Sequence, residues 1–61
     1  MNSLKQILVS KLRRPVHISY ISNHLVRLPM VETLDIVNEM IEEDLIEESK
    51  YGKGYYVLKS K

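Results

Sequence analysis

Apolar residues recur at helical spacing in the first part of the chain. Ser3 and Gln6 have the spacing of an N-terminal capping box, so they predict where the first helix begins. Pro15 disfavours helical geometry in the residue before it, which predicts the end of this helix near Arg13. The apolar stripe of the helix consists of Leu4, Ile7, Leu8 and Leu12.

Residues 16–18 are partly β-branched and alternate apolar with polar positions, which predicts a brief strand. Ser19 is a suitable N-cap for a second helix directly after that strand. Asn23 and Arg27 are expected on the outer side of this helix. Its apolar face consists of Ile21, Leu25 and Leu28.

A third helix is predicted from Pro29, since a proline at the first helical position loses no hydrogen bond. At about 100° per residue, one apolar stripe contains Met30, Leu34, Val37, Ile41 and Leu45. The opposite side carries Glu32, Asp35, Glu39, Glu42 and Glu43. This is the most clearly amphipathic segment of the sequence.

The C-terminal part changes to the pattern of a β-hairpin. Residues 45–49 begin a strand, residues 50–54 form a loop with two glycines, and residues 55–58 form an aromatic and β-branched strand. Alternation along that strand places one of Tyr55 and Tyr56 in the core and the other outside. The predicted core comprises Leu4, Ile7, Leu8, Ile21, Leu25, Leu34, Val37, Ile41, Leu45 and a hairpin residue.

Length and composition indicate one small globular domain covering residues 1–61. The chain is 44% hydrophobic and 28% charged, which argues against disorder. Cysteine is absent, so disulfides and thiolate metal sites are excluded. The absence of cysteine is consistent with a protein of a reducing compartment. No apolar run approaches the ~20 residues that span a bilayer, and the N-terminus is unlike a signal peptide. We expect a cytoplasmic protein without a membrane role.

The order helix, short strand, helix, helix, hairpin resembles the winged-helix superfamily, a variant of helix-turn-helix. Residues 18–22 are similar to the strand that leads into its second helix, and residues 37–46 to the end of its third helix running into the wing. Asp44 stands where relatives often have glycine, and residues 27–29 replace the usual glycine-containing turn. The expected fold class is α+β, a winged helix-turn-helix with three helices, a short strand between helices 1 and 2, and a C-terminal hairpin wing.

The resemblance implies duplex DNA binding, with helix 3 in the major groove and the wing on the backbone or minor groove. The charge distribution modifies this expectation. All eight acidic residues lie between Glu32 and Glu48, an interval without Lys or Arg, while five basic residues precede it and four follow it. Phosphate neutralisation requires Lys and Arg, and the acidic face of helix 3 leaves only Thr33 and Asn38 to read base edges.

Two functional interpretations follow from the charge pattern. In the first, the chain is a small transcriptional regulator whose basic ends and wing bind double-stranded DNA, with Arg27 and the start of helix 3 holding phosphate. The predicted DNA-binding residues are Arg13, Arg14, Asn23, Arg27, Thr33, Asn38, Lys50, Tyr51 and Lys53. In the second, an acidic face docks on a basic protein of a replication or transcription complex. That face consists of Glu32, Asp35, Glu39 and Glu42. In a third interpretation, the acidic face is only solvated and has no specific function.

Catalysis, metals and cofactors are not expected. His17 and His24 are too few for a metal site without cysteines or converging carboxylates. The Gly52-Lys53-Gly54 segment lacks the length and the following helix of a phosphate-binding loop. The small core, together with Val9 outside the main stripe of helix 1, predicts a homodimer through that helix.

Overall fold

A computed structural model describes residues 3–59 of the chain. Helix α2 consists of the helical turn Ile18–Tyr20, continued by the π-helical turn Ile21–Leu25. The other elements are α1 (Ser3–Lys11), β1 (Val16–His17), α3 (Met30–Glu42), β2 (Ile46–Glu48) and β3 (Tyr55–Leu58). This order confirms the predicted α+β fold, with three helices, a short strand between the first two, and a C-terminal hairpin.

The three strands form one antiparallel sheet with the order β1-β3-β2. The first strand pairs Val16 with Tyr56 and His17 with Tyr55, so it extends the hairpin by a third strand. The hairpin itself pairs Ile46 with Leu58. The architecture is compatible with a winged helix, in which β2, β3 and their connecting loop form the wing.

The core lies between the helices and one face of the sheet. Tyr56 packs against this core, as the predicted alternation requires of one hairpin tyrosine. Leu4, Leu25 and Ile41 are partly buried against it. Its fully enclosed apolar members are Leu8, Leu12, Ile21, Val26, Val37, Met40 and Ile46. Ile7, Leu34 and Leu45 are exposed by about a third or more, so the prediction that they form the core is wrong.

Helix α3 is rotated relative to the predicted stripe. Thr33, Val37 and Met40 face the interior and are fully buried, whereas Met30 and Leu34 are exposed. Thr33 Oγ1 donates hydrogen bonds to the carbonyls of Leu28 at 3.2 Å and Pro29 at 3.1 Å. A hydroxyl that is satisfied in this way can be buried at little cost, so the buried face of α3 is shifted from the stripe that the apolar residues predicted.

The junction between β1 and α2 also differs from the prediction. Ile18 is the first helical residue and not the last strand residue. His17 provides the N-cap, because its Nδ1 accepts a hydrogen bond from the amide of Ser19 at 3.1 Å. The Ser19 hydroxyl lies 2.8 Å from the same nitrogen, so Ser19 supports the cap without being it.

Two non-glycine residues adopt left-handed backbone geometry at the ends of helices. Arg27 has φ = 56° in the turn between α2 and α3, and Asp44 has φ = 63° where α3 leads into β2. Asp tolerates this geometry better than most residues. Among residues 3–59, no helix is long and apolar enough to cross a membrane.

Candidate nucleic-acid interface

The wing loop between β2 and β3 is held by its own hydrogen bonds. The Ser49 amide donates to the Tyr55 carbonyl at 2.6 Å, and the Tyr55 amide donates to the Gly52 carbonyl at 3.2 Å. The Ser49 hydroxyl accepts from the Tyr51 amide at 3.0 Å, and a Glu48 carboxylate oxygen accepts from the Gly54 amide at 3.2 Å. The loop therefore presents residues 50–53 on an ordered turn.

Gly54 fastens the base of the wing to the start of α2. Its carbonyl accepts a 2.7 Å hydrogen bond from the Ile18 amide, and its φ is +80°. A Cβ at this position would lie 2.9 Å from Nε2 of His17. Both the positive φ and the close ring therefore require glycine here.

The tip of the wing exposes two cations and an aromatic ring. Lys50 and Lys53 are exposed, and no ion pair involves either of them within residues 3–59. Tyr51 is 74% exposed, and its ring makes an edge-to-face contact with Tyr55 at 4.8 Å between centroids. The structure thus places the three predicted wing residues on one turn with their side chains exposed.

The basic residues of the turn between α1 and β1 point to different sides. Arg14 lines an open groove with Lys11, His17, Tyr20 and Tyr55. Arg13 lines a second groove, between α1 and the sheet, together with Val9, Leu45 and Leu58 among others. The structure therefore separates the two arginines that are adjacent in sequence.

The turn between α2 and α3 is built around the carbonyl of Leu28. It accepts hydrogen bonds from the hydroxyls of Ser22 at 2.6 Å and Thr33 at 3.2 Å. The Leu28 amide in turn donates to the Ser22 carbonyl at 3.1 Å. These hydrogen bonds hold the backbone of the turn that contains Arg27. The Arg27 side chain is exposed and has no ion-pair partner in the described part of the chain.

Intramolecular pairing neutralises part of the acidic segment. The Lys5 ammonium lies 2.8 Å from Glu39 and 2.9 Å from Glu43, and hydrogen bonding to Glu39 and then Glu43 raises the pKa of Lys5. Lys59 lies 2.8 Å from Asp44, a contact that lowers the pKa of Asp44 and raises that of Lys59. The repulsion that α3 would exert on phosphates is therefore smaller than its sequence indicates.

The outer face of α3 differs from the predicted reading face. Thr33 is fully buried, so its side chain does not lie on the surface open to a ligand, and its contact with DNA stays a prediction. Asn38 is exposed on α3 and Asn23 is exposed on α2, which leaves both able to contact a ligand. Next to the exposed acids, α3 exposes three apolar residues, Met30 by 40%, Val31 by 72% and Leu34 by 36%.

Sequence reasoning missed Lys11, His17 and Tyr20 as lining residues of the Arg14 groove. The pairing of β1 with β3 and the hydrogen bond from the Leu58 amide to the Leu12 carbonyl bring the hairpin against the end of α1. These contacts join segments that are distant in sequence. The basic and aromatic character of these residues was the available signal, but their spacing in the chain does not place them together.

Comparisons with protein families, with curated proteins and with solved structures gave no match for this chain. Within residues 3–59, no three metal-ligating side chains converge.

Proposed function

We propose that this chain is a winged-helix protein that binds duplex DNA, as a small transcriptional regulator would. The observation that carries the proposal is the distribution of unpaired cations. Within residues 3–59, the ion pairs involve Lys5, which pairs with Glu39 and Glu43, and Lys59, which pairs with Asp44 at the end of α3. The remaining cations are Lys11, Arg13, Arg14, Arg27, Lys50 and Lys53.

Three of these unpaired cations lie at the places where a winged helix ordinarily meets a phosphate backbone. Lys50 and Lys53 lie at the wing, and Arg27 lies in the turn that precedes α3. Phosphate contacts supply most of the affinity of non-specific DNA binding and are strongly salt-dependent. The ordered wing turn supports such contacts because its backbone is already held by hydrogen bonds, so binding has to order only the side chains.

Base reading by α3 is expected to be weak. With Thr33 buried, Asn38 is the predicted base-reading residue that stays exposed on this helix, and Asp35 and Glu42 are exposed near it. Carboxylates repel phosphates, although they can accept a hydrogen bond from cytosine N4. We therefore expect backbone contacts and DNA shape to dominate over direct readout.

Binding of a random-sequence duplex at low salt tests this proposal. The expected result is measurable binding that Asp35→Asn strengthens, because this substitution removes an unpaired charge near the phosphates. Glu39→Gln is the matched control, since it changes the net charge equally but Glu39 is already paired with Lys5. No binding at low salt, where electrostatic attraction is strongest, would contradict the proposal.

A second candidate function is docking of α3 on a basic protein partner. The observation that favours it is the mixed face formed by exposed Val31 and Leu34 beside Glu32 and Asp35. Exposed apolar residues within a charged rim are typical of protein interfaces. If this function is correct, Val31→Ser weakens the complex without changing DNA affinity, and the paired charge change of Glu32→Gln and Asp35→Asn slows association.

The homodimer through α1 remains a prediction. The groove between α1 and the sheet gives it a surface, because Val9 and Leu45 are each more than a third exposed there. Sedimentation equilibrium distinguishes a dimer from the 7.2 kDa monomer. A dimer that Val9→Lys dissociates would support the prediction, and a monomer at tens of micromolar would remove it.

A further inference from the structure

The groove between the end of α1, strand β1 and the base of the wing has a volume of about 480 Å³ and is open to solvent. That volume lies within the ~300–1,000 Å³ typical of sites for small ligands. None of its lining residues is acidic. The groove therefore differs from the surface of α3, where acidic side chains dominate.

Two cations border this groove. Lys11 and Arg14 are exposed and have no ion-pair partner within residues 3–59. They come from the last residue of α1 and the turn that follows it, so they lie near each other on one rim. Such a pair is suited to a phosphate group, with Arg14 able to bind two oxygens at once.

The rings of His17, Tyr20 and Tyr55 line the groove together with Pro15 and Val16. Ring contacts hold these aromatic side chains in position. The ring of Tyr55 makes edge-to-face contacts with His17 at 5.0 Å and with Tyr51 at 4.8 Å, so it is fixed from two sides. Tyr20 is 51% exposed, and its ring lies 4.7 Å from that of His24 at a tilt of 35°. The groove thus presents rings that are already oriented before a ligand arrives.

We infer that this groove binds an unstacked nucleotide of a single-stranded nucleic acid, with the base against Tyr20 and Tyr55 and the phosphate on Lys11 and Arg14. Aromatic rings beside cations are the features that bind single strands, because every base has a face that can stack. A duplex keeps its bases stacked inside, so it cannot use the rings. The inference therefore goes beyond the binding of duplex DNA through the wing.

Fluorescence anisotropy with a labelled oligonucleotide of about eight thymidines tests the inference, since single-strand sites commonly span several nucleotides. We expect the parent to bind it at low salt. Tyr20→Leu is expected to weaken binding about tenfold, the effect of losing one stacked base, while Tyr20→Phe binds like the parent. Comparing the parent's affinity for the matching oligouridine shows whether the site prefers DNA or RNA. Weaker binding of either strand by Tyr20→Leu supports the inference.

A charge comparison provides a second measurement that does not depend on Tyr20. Lys11→Gln with Arg14→Gln removes the same charge as Lys50→Gln with Lys53→Gln, and we expect the groove pair to weaken single-strand binding more. Three results would each overturn the inference. They are equal effects of the two pairs of substitutions, an unchanged single-strand affinity of Tyr20→Leu, and no oligonucleotide binding by the parent. The two proposals can fail separately. Tyr20→Leu is expected to weaken single-strand binding and to leave duplex affinity unchanged, so the absence of duplex binding by the parent does not bear on the groove.

Discussion

The ammonium of Lys59 lies 2.8 Å from Oδ1 of Asp44 and ties the end of the hairpin to the residue that turns the chain out of α3. Asp44 has left-handed backbone geometry, and the neighbouring amide of Lys59 donates to the carbonyl of Leu45 at 3.0 Å. The side-chain pair and the backbone bond thus hold the same junction between α3 and the sheet.

The Asp44 pair predicts a specific pH dependence of stability. Hydrogen bonding to Lys59 lowers the pKa of Asp44 below its ordinary 3.8, so the stabilisation is fully present above that pH and is lost as the pH falls toward the folded-state pKa. Asp44→Asn keeps a residue that tolerates positive φ but removes the charge. We expect it to melt slightly below the parent at about pH 6 and to approach the parent at acidic pH. A difference in melting temperature that stays constant between these conditions would contradict this assignment.

The position of α3 predicts which of its side chains stabilise the core. Met40 is fully buried, so Met40→Ala should lower the free energy of unfolding by about 2–5 kcal/mol. Leu34 is exposed by 36%, and Leu34→Ala should cost about 1 kcal/mol or less. Chemical denaturation of the two variants measures both values. If Leu34→Ala is the more damaging substitution, the helix has the phase that the sequence pattern predicted.

The buried hydroxyl of Thr33 gives a prediction that separates a structural role from DNA reading. Thr33→Val keeps the shape but removes the donor to the carbonyls of Leu28 and Pro29, which should cost about 1 kcal/mol of stability. Thr33→Ser keeps the hydroxyl and is the control for that hydrogen bond. Duplex affinity at a temperature where both variants are folded should match the parent. A selective loss of affinity in the folded Thr33→Val variant would place this residue back at the interface.

Arg27 offers a substitution in which stability and binding should change in opposite directions. Its φ of 56° is unfavourable for arginine and free of penalty for glycine, so Arg27→Gly should stabilise the fold by about 1 kcal/mol. The same change removes an unpaired cation and should weaken duplex binding. Arg27→Asn keeps tolerance of the left-handed geometry and also removes the charge, so it should weaken binding equally. Undiminished affinity in both variants would exclude Arg27 from the interface.

Much of the fold could be predicted because local signals agree with it. The Gly-containing loop and the Pro15 and Pro29 boundaries mark where elements start and stop. The phase of α3 could not be predicted, because Thr33 is a polar residue that is nevertheless buried. Its hydroxyl donates a hydrogen bond to the Leu28 carbonyl, which makes this burial possible. The correct face is turned by roughly a fifth of a turn from the apolar stripe.

The candidate site was less predictable than the fold, because it depends on long-range pairing. The charge blocks of the sequence indicated a basic wing, and Lys50 and Lys53 do lie there exposed. No pattern in the sequence indicates that Lys5 forms an ion pair with Glu39, because the two residues lie on different helices. Side-chain pairing across elements therefore decides which charges remain available, and spacing along the chain does not.

The salt dependence of duplex binding in a wing variant tests the central claim most directly. Lys50→Ala with Lys53→Ala removes two exposed cations from a turn whose shape is set by backbone bonds, so the fold should persist. The account predicts weaker binding to all duplex sequences about equally. It also predicts a plot of log affinity against log salt whose slope falls by roughly two, about one for each lost phosphate contact. A variant with the affinity and the slope of the parent would contradict the claim that the wing binds the DNA backbone.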